Sequence, residues 1–229
     1  MRVMDKNRPS AGSGPAGPGR DAAGEGAQTF AAAEEGRPAL REMAGEFLEG
    51  RILIAMPNIG DPRFERAVLL ICAHDDQQAM AITLNRPLEG MSVPGLLQRL
   101  GMGGETVPDA PVMFGGPVER ERGYVLHTED YAAAQATEPV TSGVAMTDTR
   151  EVLEALGDDS RRPRRFILAL GYAGWGAGQL ENEIRQGVWL TCDADEELVF
   201  GLDHAGKWSA ALAKIGVSPE RLSPQSGRA

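Results

Sequence analysis

Residues 165–189 read R-F-I-L-A-L-G-Y-A-G-W-G-A-G-Q-L-E-N-E-I-R-Q-G-V-W, and the fold class turns on this stretch. Phe166 to Leu170 is an unbroken apolar run, the pattern of a strand covered on both faces. Gly171, Gly174, Gly176 and Gly178 follow, interleaved with Tyr172 and Trp175, and predict a hinge. Ala177, Leu180 and Ile184 then recur at helical spacing, with Glu181 and Arg185 placed to pair on the outer face. Gly187 stops the helix, and Trp189 opens the next strand.

Working outward, four arginines, Arg161, Arg162, Arg164 and Arg165, crowd around Pro163 just before this strand. Upstream, Asp148 and Glu151 have capping-box spacing and open a helix through Val152, Leu153 and Leu156 that Gly157 closes. Val140 to Met146 reads as a strand broken at Ser142-Gly143, Gly123 to His127 as another, and Pro111 to Phe114 as a short one stopping at Gly115-Gly116-Pro117. Ser92 caps a helix bearing Val93, Leu96, Leu97 and Leu100. Arg51–Ala55, Ala67–Ala73 and Ala79–Asn85 are strands; His74-Asp75-Asp76-Gln77 joins the last two as a hairpin with a solvated tip. Asn85-Arg86-Pro87 leaves that strand extended. Downstream, Asp193 to Glu197 is acidic, and Asp203 is placed to cap a final helix carrying Trp208, Ala211, Leu212 and Ile215. Strands cluster early and do not alternate regularly with helices, which favours an α+β fold over a doubly wound sheet.

Residues 1–46 are rich in Gly, Pro and Ala, too poor in apolar side chains to offset ordering entropy, and read as a disordered tail. One folded domain is expected over 47–229. The net charge of −10 argues against a general nucleic-acid groove, which needs cations to displace counterions. Two cysteines, Cys72 and Cys192, lie far apart in no C-x-x-C pattern and are expected as buried free thiols. No apolar signal segment and no membrane-length run occurs, so a soluble, cytoplasmic protein is expected.

Chemistry-bearing motifs are sparse. The glycines at 174, 176 and 178 miss the dinucleotide fingerprint, since Gln179 or Glu181 stands where the third glycine belongs, and no Walker lysine follows. Glu181 and Glu183 would repel a phosphate, so the glycines read as room for Tyr172 and Trp175 to pack at a corner. His74, Asp75 and Asp76 would need Asp61 or His127 to complete a metal site, and none of the three histidines has metalloprotease spacing. His127 reads as a hydrogen-bonded strand histidine. No nucleophile elbow occurs. Neither a cofactor nor a metal is expected, and no catalytic residue is assigned. Asn85, Arg86, Gly115, Gly116, Pro117, His127, Tyr172, Trp175 and Gln179 lie at or near strand ends, and their convergence would make a pocket in which Arg86 meets Trp175.

Several of these segments, in order, carry a family resemblance. They are Ile52–Pro57, Asn85–Leu88, Gly115–Val118, Arg122–His127 and Leu170–Trp175 with Gly178–Glu181. From about Phe47 onward the chain resembles the bacterial YqgE/AlgH family. The resemblance implies an α+β fold with a bifurcated, mostly antiparallel β-sheet curled into a pseudo-barrel, helices packed outside. The family it resembles has no established enzymatic activity, and it brings the label of transcriptional regulator, although no helix-turn-helix is visible. Many relatives end in Gly-His-Ala, where this chain has Gly227-Arg228-Ala229. The leading expectation is therefore a regulatory protein that binds an unidentified protein or small-molecule partner. The alternatives are a hydrolase-like enzyme acting near Arg86 and His127, and direct nucleic-acid binding through Arg161, Arg162, Arg164 and Arg165.

Overall fold

The structure, a computed structural model, describes residues 47–222. The expected tail over 1–46 and the terminal Gly227-Arg228-Ala229 lie outside the described residues. Ten strands form one sheet in the order β10-β1-β2-β3-β9-β6-β8-β7, with β4 and β5 attached through β9. The first three strands are β1 (Arg51–Ala55), β2 (Val68–His74) and β3 (Gln78–Thr83), then β4 (Pro87–Ser92) and β5 (Pro111–Phe114). β6 (Val118–His127), β7 (Thr137–Thr141), β8 (Val144–Thr147), β9 (Phe166–Gly176) and β10 (Trp189–Asp193) follow. All pairings are antiparallel except that of β5 with β9. The sheet curls into a half-barrel with five α-helices, the α+β pseudo-barrel that the sequence and its resemblance imply.

β9 organises the sheet. Its first half pairs with β6 from Phe166 to Tyr172 and with β5 at Ala169 and Leu170. Its second half, Ala173 to Gly176, pairs with β3. The sheet forks at Gly171, whose φ of +72° bends the strand and whose Cβ would meet the Gly116 carbonyl oxygen at 2.5 Å. Here the sequence reading needs correction. The glycines after Leu170 do not end the strand; it continues to Gly176, because β3 supplies a ladder that no local signal announces.

Two cores fill the fold. One lies inside the curl, where Ile52, Leu70, Ile82 and Leu126 meet α4 (Glu196–Phe200) and α5 (Lys207–Lys214). The other packs α1 (Val93–Arg99) and α2 (Arg150–Leu156) through Leu97, Val125, Leu153, Leu156 and Leu168. α3 (Gln179–Arg185) buries Leu180. Ser92 caps α1 as expected, its hydroxyl accepting from Gly95 N at 3.3 Å.

Other expectations are revised. The strand expected over 140–146 is a hairpin, β7 and β8, turning at Ser142-Gly143. Asp148 does not cap α2; Thr149 holds the cap position and Asp148 binds Arg122. Asp203 accepts from Gly206 N at 2.9 Å, one turn ahead of α5, rather than capping it. The acidic run instead starts α4, with Asp195 accepting from Leu198 N at 2.7 Å. Glu181 and Arg185 do not pair through side chains; Arg185 Nε reaches the Glu181 carbonyl at 3.3 Å. Among the described residues no helix is long and apolar enough to cross a membrane.

Candidate functional site

The outer half of β9 carries a cleft on each face. Tyr172, Gly174 and Gly176 share one face with their β3 partners Met80 and Gln78, since alternate residues along a strand point the same way. Over this face opens a cleft of about 460 Å³, walled also by Val118, Tyr124 and Met146. Tyr124 and Tyr172 meet edge to face at 5.8 Å, and the Arg122 guanidinium lies 5.2 Å from the Tyr124 ring. Arg122 is itself held by Asp148 and by Glu119 at 3.1 Å. Burial opposes its charge, but the two carboxylates keep its guanidinium above the ordinary arginine value. Burial likewise pushes the Tyr124 phenol up, so it stays protonated at neutral pH.

The second cleft, about 360 Å³, opens on the face of Ala173 and Trp175 and is walled by Pro117, Phe64, Trp189 and α3. Its centre is Glu183. One carboxylate oxygen accepts the indole N–H of Trp175 at 2.9 Å and that of Trp189 at 2.8 Å; the other accepts Gln179 Nε2 at 2.8 Å. The two indoles meet edge to face at 5.9 Å, and Phe64 packs on Trp189 at 5.7 Å. At the rim Arg63 lies 5.9 Å from the Phe64 ring and binds Asp61, whose carboxyl its hydrogen bonds hold below the usual carboxylate range.

Of the residues singled out from sequence, Tyr172 and Trp175 line the first cleft, and Pro117, Trp175 and Gln179 the second. The others line neither. Asn85 bridges two backbone groups, accepting from Val68 N and donating to the Arg66 carbonyl, both at 2.9 Å. Arg86 turns away to the Glu65 carbonyl and does not meet Trp175 across either cleft. Gly115 and Gly116 let the chain cross β9: a Cβ on Gly116 would sit 2.0 Å from the Tyr172 carbonyl carbon. His127 is fully buried between the Thr128 carbonyl and the Thr147 hydroxyl, each at 2.9 Å.

His74 is not at a solvated tip. Its side chain is 2% exposed, because Phe47 and Leu48 cover it from one side and α3 from the other. Nδ1 accepts Leu48 N at 2.8 Å, so Nε2 carries the proton and donates to Glu181 at 2.8 Å. Asp75 keeps the turn, accepting from Gln77 N and Gln78 N at 2.8 Å. Among the described residues no three metal-ligating side chains converge. Both cysteines are free and buried, and burial raises both thiols.

The arginine cluster is largely engaged within the fold. Arg161 pairs with Glu151, Arg164 with Glu196, and Arg165 with Glu197. Arg162 Nε donates to the Leu156 carbonyl at 2.8 Å, closing the end of α2. Sequence reading missed Arg122, Tyr124, Asp148 and Glu183 as site residues. Only Glu183 had a local signal, standing between two tryptophans on a helix edge.

Comparison with known proteins agrees with this architecture. Residues 52–220 match the AlgH-like family DUF179. A UPF0301 protein of Caulobacter vibrioides is 56% identical over 186 residues, spanning 81% of this chain and 95% of that protein. One from Paracoccus denitrificans is 48% identical over 187 residues, spanning 80% and 97%. The solution structure of AlgH from Pseudomonas aeruginosa superposes with a TM-score of 0.63 at 36% identity, covering 82% of this chain and 100% of that one. A Corynebacterium diphtheriae protein at 20% identity, covering 80% of this chain and 90% of that one, shares the fold with a TM-score of 0.60. The chain belongs to the AlgH-like family.

Proposed function

We propose that this protein acts in regulation by binding a partner or ligand at the paired clefts of β9, without turning a substrate over. The observation that carries the reading is Trp175, which borders both clefts and whose indole, its N–H fixed on Glu183, walls the second. A rigid aromatic wall with polar rims suits recognition. Apart from Glu138 at the first cleft, the charged groups beside it are held by partners: Glu183 by two indoles and Gln179, Arg122 by Asp148 and Glu119, Asp61 by Arg63. General acid–base work needs a group free to exchange a proton with substrate. Committed groups of this kind shape and charge a surface. A cytoplasmic setting accords with two buried free thiols, which a reducing compartment preserves.

The test is co-purification from cell lysate, full-length chain against two surface variants, read by mass spectrometry for proteins and small molecules. Val118→Arg fills the first cleft, and Gln179→Arg fills the second. Species retained by the wild type and lost from either variant support the reading. Identical retention by all three proteins, each shown folded by circular dichroism, refutes it.

A further inference from the structure

We infer that the free edge of β9 at Gly174–Gly176 accepts an extended, basic segment of a partner protein as an added β-strand. This deepens the binding reading above and rests on it.

Backbone direction comes first. Asp75 N donates to the Gln78 carbonyl at 2.9 Å, so the main-chain groups of Gln78 face β2 rather than β9. Gln78 is the β3 partner of Gly176, and Gly176 N donates instead to Gln179 Oε1 at 3.2 Å. In an antiparallel ladder a residue exchanges both bonds with its partner or neither, and the pattern alternates. Trp175 and Ala173 therefore bond to β3, while the N–H and C=O of Gly174 and Gly176 point to the opposite edge. On that edge β6 pairs only as far as Val118 opposite Tyr172. Before Val118 the chain departs: Pro117 has no N–H to offer, and Gly116 lies across the peptide between Tyr172 and Ala173. Among the described residues no strand occupies the line that β6 vacates. Gly174 and Gly176 are exposed there.

The clefts supply side-chain specificity. An added strand alternates its side chains between the two faces of the sheet, and each face here holds a cleft. Residues opposite Gly174 and Gly176 would enter the first, against Met80, Met146, Tyr124 and Tyr172, which suits apolar side chains. The residue opposite Trp175 would enter the second, beside two indoles, Glu183 and Asp61. Charge complementarity sets the residue entering the second cleft as basic, since Asp61 and Glu183 line that cleft against one guanidinium, Arg63. The second cleft also already stations Arg63 near the Phe64 ring, at 5.9 Å, the geometry a second guanidinium would use. The Gln179 amide covers the Gly176 N–H in the free protein, a side-chain stopper that an incoming carbonyl replaces.

The probe is a fluorescein-labelled peptide alternating valine and arginine, titrated with full-length protein and read by fluorescence anisotropy. Saturable binding is expected, with none for the valine–glutamate counterpart. Gly174→Pro removes an outward N–H without touching the β3 ladder and should weaken binding about tenfold. Gly174→Ala keeps that N–H and adds the same Cβ, and should change affinity less than about threefold. N-methylating alternate peptide amides tests the same bonds without altering the protein and should abolish binding. In the free chain the Gly174 amide should exchange fast with solvent, slowing when the probe binds. No probe binding up to about 1 mM overturns the inference. So does equal binding by the N-methylated peptide, or a Gly174 amide already protected in the free chain. Self-association lost in Gly174→Pro would make the occupant a second copy and equally overturn it. Probe failure alongside cleft-dependent co-purification sinks strand addition alone; failure of both sinks the binding reading too.

Discussion

Glu183→Ala should lower stability by about 2–4 kcal/mol, a large cost for a half-buried surface carboxylate. The indole N–H groups of Trp175 and Trp189, residues 7% and 3% exposed, both donate to one Glu183 oxygen, at 2.9 and 2.8 Å. A hydrogen bond to a charged acceptor contributes about 1.5–3 kcal/mol, and a buried donor left stranded costs about 1–3 kcal/mol. Two such donors set an upper value near 6 kcal/mol. Removing the side chain also opens the cleft to water, which partly satisfies the indoles and brings the cost to the lower half. The midpoint of thermal unfolding should fall by about 5–15 °C for a domain of this size.

Glu183→Gln discriminates this account from a general dislike of substitution. The amide oxygen can accept both indoles, but the amide nitrogen then faces Gln179 Nε2. Gln179 cannot turn to help, because its own oxygen holds Gly176 N at 3.2 Å. One donor–donor conflict should cost about 1 kcal/mol. Urea unfolding followed by far-ultraviolet circular dichroism gives both values without relying on tryptophan emission from the perturbed site. Alanine within about 0.5 kcal/mol of wild type, or glutamine as damaging as alanine, would refute the reasoning.

Gly116→Ala should prevent folding, since its Cβ would overlap backbone atoms near 2.0 Å, whereas Gly176→Ala should be nearly neutral because nothing lies within 4 Å; soluble yield and unfolding midpoints check the contrast. Burial lowers the His127 ring below its usual pKa, so the unfolded chain takes up that proton first. The stability His127 contributes should be complete above about pH 6.5 and decline as pH falls through and below that value, a slope that His127→Gln should reduce in midpoints measured from about pH 7.5 to 5. Arg164→Glu with Arg165→Glu should cost about 1 kcal/mol through lost pairs to Glu196 and Glu197, leaving nucleic-acid retention at low salt unchanged in a filter assay. Neither Cys72 nor Cys192 should react with a thiol reagent in the native protein, and both should react in urea.

Local chemistry made much of the fold legible. The Ser92 cap, the turn at Asp75–Gln78 and the apolar runs of β1, β2 and β3 each carry their own signal within a few residues. What escaped reading depends on partners distant in the chain. β9 runs on through Gly171 and Gly174 to Gly176 because β3, far earlier in the chain, pairs with it. His74 looked solvated because its covers, Leu48 and Glu181, lie 26 and 107 residues away. α4 spans five residues, too few for a periodic pattern to emerge. The sequence brought Trp175 and Tyr172 forward as glycine-corner residues and Gln179 as a strand-end candidate. It could not show that Arg86 points elsewhere, since a side chain's direction at a strand end follows from where the neighbouring turn offers a carbonyl.

The fork at Gly171 links fold to site. A sheet that curls must let strands leave one another, and β9 changes partners midway, from β6 and β5 to β3. Where it changes, one edge loses its neighbour and both faces lose cover. Closing that gap with the chain itself would need β6 to begin earlier, with Gly116 and Pro117 laid alongside Ala173 and Gly174 as ladder partners. Residues 115–117 are instead spent crossing the strand, at a place where only glycine fits. The same close approach that lets the barrel curl therefore leaves Gly174–Gly176 open between two clefts. Anything that restores pairing to that edge would also stiffen the fork, so occupancy there should slow hydrogen exchange along β3 as well as β9.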